Sequence, residues 1–151
     1  MDKRKFNLWI DRALVPVFVG VIWTGLELHA AGHVADPLFG HRWSVSHTVV
    51  SLLFLLLAGI HVYGHWGWYR ALTTVGCKDR HRRMVLLFSL VFLLAAVTGL
   101  LLLLCGAGRA LYLGKFHYLL GLIFGIMGLL HLLKRLRILF GIAKPGAAKN
   151  R

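Results

Sequence analysis

The sequence predicts an all-α fold: a four-transmembrane-helix bundle made from a duplicated two-helix unit, with both termini cytoplasmic. Three observations predict it. Four long segments are apolar, Lys and Arg are abundant only in alternate connections, and one histidine-bearing helix face is written twice.

The apolar segments cover residues 13–31, 48–69, 84–104 and 116–140 of a 151-residue chain that is 58% hydrophobic with a mean hydropathy of +0.72. Each is near the ~20 residues a helix needs to cross a hydrocarbon layer about 30 Å thick. Lipid offers no hydrogen bonds to an open strand edge, so helix is the default for all four. The basic start followed by an apolar stretch resembles a secretory signal, but the stretch runs on through Glu27 and His29 without a cleavage site, which argues for a retained first helix. The expected organisation is a basic cytoplasmic arm (1–12), a membrane domain (13–140) and a basic cytoplasmic tail (141–151).

A formal net charge of +13 raises nucleic-acid binding as a class, but the basic residues cluster at the ends of apolar runs instead of spreading over a polar surface. Membrane topology and anionic headgroups explain that clustering, and no nucleic-acid partner is expected. Fifteen of the eighteen Lys and Arg lie in the N-terminal arm, the second connection and the C-terminal tail; Arg42, Arg109 and Lys115 are the exceptions. The positive-inside rule therefore places both termini in the cytoplasm, and a multi-pass protein of a prokaryotic inner (cytoplasmic) membrane is expected. The two cysteines, Cys77 and Cys105, fall in connections on opposite sides, so no disulfide is expected. No C-x-x-C-H sequence occurs, which excludes covalent c-type haem attachment.

A histidine inside a membrane helix is costly and therefore a functional candidate. His47 and His61 are fourteen residues apart in the second helical region, and so are His117 and His131 in the fourth. Fourteen residues is close to four turns, which puts each pair on one face about 21 Å apart along the axis. The face between them is duplicated too: His47, Ser51, Phe54, Ala58, His61 against His117, Gly121, Phe124, Gly128, His131. Small residues beside each histidine leave room for a flat macrocycle, and a phenylalanine halfway fills the space between two of them.

Small residues on a membrane helix also serve packing, and Gly121 with Gly125 makes a G-x-x-x-G. Packing alone does not explain the same spacing on two helices. The second and fourth helices run in the same direction, so His47 shares a depth with His117 and His61 with His131. Each pair is expected to supply two axial ligands to one haem iron, His47/His117 to an outer haem and His61/His131 to an inner one. Six-coordinate iron favours electron transfer over chemistry at the metal. Histidines four turns apart cannot meet at one non-haem ion.

The stretch from Trp43-Ser-Val-Ser-His47 through His61-Val-Tyr-Gly-His65-Trp66-Gly-Trp68 closely resembles the W-x-x-x-H to H-x-x-x-H-W signature of a four-helix family of membrane cytochromes b of unknown function. It is also similar to the dihaem cytochrome b subunits of formate dehydrogenases and hydrogenases. The resemblance implies two b-type haems, electron exchange with a quinone pool, and a partner redox subunit. Some dihaem relatives take an outer ligand from the first helix, which makes His29 and His33 the alternatives there.

Glu27 is read as an interfacial acid, with a proton or quinone role as the alternative, and His65 as either a contact to a haem propionate or quinone or an anchor beside Trp66 and Trp68. The Thr24-Gly25 and Thr98-Gly99 pairs extend the duplication and are expected to pack helices. The expected function is transmembrane electron transfer between quinone or quinol and a redox partner. The alternatives are a stand-alone quinone reductase using a small oxidant, and a haem-free proton or assembly subunit.

Overall fold

The computed structural model describes residues 2–34, 36–76, 79–105 and 111–139. Expectations that fall on Cys77, Lys78, Arg109 and the tail 141–151 lie outside them. Among the described residues there is no strand, and the helices are α1 (Lys3–Ala31), α2 (Pro37–Gly64), α3 (Trp66–Val75), α4 (Arg80–Cys105) and α5 (Leu111–Leu139). Four of these, α1, α2, α4 and α5, are long and apolar enough to cross a membrane. Their outward faces carry large apolar side chains in the open, Leu56 at 61% exposure and Ile126 at 65%, as suits a lipid solvent and not water.

The first helix begins ten residues before the apolar segment does. Asp2 caps it by accepting a hydrogen bond from the Arg4 amide, and nothing between Lys3 and Arg12 interrupts it. Most of the expected arm is therefore helix, and Asp11 lies in its third turn. Pro16 sits inside α1 without ending it. Asp36 caps α2 through the Leu38 amide at 2.9 Å, with Pro37 at the helix start, where its missing N–H costs nothing.

The expected 48–69 segment divides in two. His65, with φ −103° and ψ 15°, ends α2, and the chain re-enters helix as α3. The Asn7 side chain donates to the Gly64 carbonyl at 3.2 Å, satisfying one of the acceptors a helix end leaves open. A Cβ on residue 64 would stand 2.7 Å from the Asn7 Oδ1, so a larger residue there would push the Asn7 side chain off the carbonyl. The Tyr69 hydroxyl meets the Ser89 hydroxyl at 3.0 Å, tying α3 to α4.

The backbone of α1 packs against α2 and α5, and that of α4 against α5. α2 and α5 meet across the interior through side chains. Halfway along, Phe54 and Phe124 touch with ring centres 5.8 Å apart, as the duplicated face predicts; Phe18 and Phe92 join them, and Phe88 stacks on Phe124 at 5.1 Å. Gly125 and Gly128 admit α1: a Cβ would stand 3.0 Å from Ile22 and 2.6 Å from the Phe18 ring. Gly121 has open space beside it, so the G-x-x-x-G packs through one glycine only.

Candidate functional site

His47 and His117 face one another, their ring centres 6.2 Å apart at 70° between planes. Each is held from the adjacent helix of its own half. Thr24 on α1 donates its hydroxyl proton to the Gly20 carbonyl at 2.7 Å, so its oxygen accepts from His47 Nδ1–H at 3.1 Å. Thr98 on α4 donates to the Leu94 carbonyl at 2.8 Å and accepts from His117 Nδ1–H at 3.0 Å. Both Nε2 atoms are thereby left as acceptors, the tautomer a metal ligand needs, and that of His47 has the Ser51 hydroxyl 3.5 Å away.

The glycine after each threonine lies under the ring. A Cβ at Gly25 would be 3.1 Å from His47 Cε1, and one at Gly99 3.0 Å from His117 Cε1. The Thr-Gly pairs, expected only to pack helices, do so by seating the two imidazoles. His29, the alternative outer ligand, instead stacks on Tyr118 with ring centres 3.8 Å apart, and His33 stands edge-on to it.

The second level lies toward the end that collects the start of α1, the finish of α2, the start of α4 and the finish of α5. A cavity of about 270 Å³ opens there, and its walls include His61, His131, Ala58, Gly128, Phe54 and Phe124, the inner half of both duplicated faces. The two histidines are held differently. His61 Nδ1–H is donated to Asp11 Oδ1 at 2.6 Å, whereas His131 stacks on Phe88 with ring centres 5.6 Å apart. Laying Thr24-Gly25 over Thr98-Gly99 in sequence aligns Phe18 with Phe92, Leu14 with Phe88 and Asp11 with Val85. The duplication thus holds at the outer level and the phenylalanine layer and breaks at the inner one.

His65 stands over the same carboxylate. Its ring centre is 4.6 Å from that of His61, and its buried Nε2, which makes no hydrogen bond, lies 3.7 Å from Asp11 Oδ2. Burial and the neighbouring His61 hold the His65 imidazole below its ordinary pKa. One ligand atom from each of Asp11, His61 and His65 falls within 4.8 Å of the others, a grouping that can take a cation. Asp11 falls within the basic arm by hydropathy and so is not marked as a site residue by sequence; its place one turn before Leu14, on a helix capped by Asp2, is the signal that points to it.

The donor set fits the expected haems best at the outer level. Two imidazoles that ligate one metal from opposite sides, each about 2 Å from nitrogen to metal, have ring centres about 6 Å apart, which agrees with the His47–His117 separation. No protein-family model, curated protein or solved structure matches the chain.

Proposed function

We propose that this protein carries electrons across a prokaryotic inner membrane through two bis-histidine b-type haems, between a quinone or quinol pool and a partner redox protein. The observation that carries the reading is the His47–His117 pair, 6.2 Å between ring centres with both Nδ1 protons taken by threonine hydroxyls. The cavity walled by His61 and His131 one level away supports a second site of the same kind.

Bound haem supplies a one-electron couple. The chain's own residues fix the histidine tautomers, fill the space between levels with Phe18, Phe54, Phe92 and Phe124, and hold the rings against glycine. With His47 and His117 at one level and His61 and His131 at the other, two imidazoles would hold each iron, a ligand set suited to electron transfer and not to substrate chemistry at the metal. Lys3, Arg4 and Lys5 at the start of α1 and Arg80, Arg82 and Arg83 at the start of α4 lie at the inner-level end, which the positive-inside rule makes cytoplasmic.

The test is the absorption spectrum and pyridine haemochrome of the purified protein. Two b-type haems per chain are expected, and protein that folds in membranes without haem contradicts the reading. One observation favours a second reading: Asp11, His61 and His65 can together hold a divalent transition metal in place of the inner haem. Metal analysis showing one zinc, manganese or non-haem iron per chain beyond the iron counted as pyridine haemochrome, released on Asp11→Asn, identifies that case.

A further inference from the structure

Three of the four proposed haem ligands are held at Nδ1 by a hydrogen-bond acceptor, and only one of those acceptors is an anion. His47 and His117 donate to neutral threonine hydroxyls at 3.1 and 3.0 Å. His61 donates to the Asp11 carboxylate at 2.6 Å, and the charge on the acceptor makes this the strongest of the three bonds. The arrangement is half-buried, with 34% of the His61 side chain and 22% of the Asp11 side chain exposed, so water screens it only in part. Its counterpart in the other half cannot exist, because Val85 stands where the duplication would place the acid.

Resting on the haem reading above, we infer that Asp11 is a positioning residue that sets the redox potential of the inner site through His61. A carboxylate that draws on Nδ1–H makes the imidazole a stronger donor at Nε2. A stronger donor, with a negative charge nearby, stabilises ferric iron over ferrous and lowers the midpoint potential. The outer site, with two neutral acceptors, lacks this effect. The asymmetry is built into α1, whose third turn carries the carboxylate to the α2 histidine nearest the basic end.

The experiment is a spectroelectrochemical titration of the full-length protein with its bound haems, each midpoint assigned from His47→Ala, which retains the inner haem alone. In Asp11→Asn the inner midpoint shifts upward while the outer one stays in place, and Asp11→Glu, which restores the charge, moves it back. Two bound haems with an unmoved inner midpoint, or midpoints that move together, overturn the inference and leave the haem reading standing. Wild-type protein without haem overturns both. Should Asp11→Asn release the inner haem, an Asp11→Glu protein that keeps it at the wild-type midpoint supports the inference, and loss from both variants overturns it.

Discussion

The two histidine levels were written by the same duplication and have diverged unequally. At the outer level each half contributes the same three parts, a histidine, a threonine that orders its tautomer and a glycine under its ring. At the inner level the histidines survive but their supports do not match: His61 has Asp11 and His131 has Phe88. The position of a ligand is set by helical spacing, whereas its chemistry is set by what the adjacent helix brings to Nδ1. On the proposed haem reading, two sites with identical ligands can therefore differ in affinity and potential.

Gly25→Val and Gly99→Val should break the outer site most severely. A β-branched side chain placed where a single Cβ already stands about 3 Å from the imidazole displaces the ring, so under the proposed dihaem reading haem content should fall by half with the inner haem retained. Thr24→Val and Thr98→Val keep the volume and remove the acceptor. Loss of such a supporting hydrogen bond typically costs 10–100-fold in metal affinity, so the outer haem should wash out of detergent-purified protein more readily, and Thr24→Ser should recover it. Equal loss from both levels would show that the levels are not independent.

Gly128→Ala probes the inner half of the duplicated face. The new methyl would stand 2.6 Å from the Phe18 ring, and overpacking of this kind costs about 1–3 kcal/mol, visible as a lower Tm in detergent. The corresponding change at Gly121 meets no protein atom and should leave the Tm of the haem-free protein unchanged, its effect falling on the outer haem alone. The smallest effect is expected from Tyr69→Phe, which removes the bond to Ser89 and should cost about 0.5–1.5 kcal/mol at the inner end alone.

Apolar runs announce membrane helices, so all four long helices were legible in the sequence, and the fourteen-residue spacing placed Phe54 and Phe124 correctly between the levels. Hydropathy was silent where helix continues through charge. α1 extends back to Lys3 on the strength of the Asp2 cap, and Asp11 in that extension reaches His61. The break at His65 was hidden because Trp66 to Tyr69 remain apolar enough to prolong the segment, while the feature that fixes it, Asn7 on the Gly64 carbonyl, joins residues far apart in sequence. The Thr-Gly pairs were visible as a repeat, but their contact with histidine depends on how α1 meets α2 and α4 meets α5, which composition does not encode.

Whether the histidines pair by level is decided by haem counts in double variants. His47→Ala with His117→Ala removes one complete site and should leave one haem per chain; His47→Ala with His61→Ala removes a ligand from each and should leave none. A same-level variant without haem, or a cross-level variant that keeps one while remaining helical, would contradict the account.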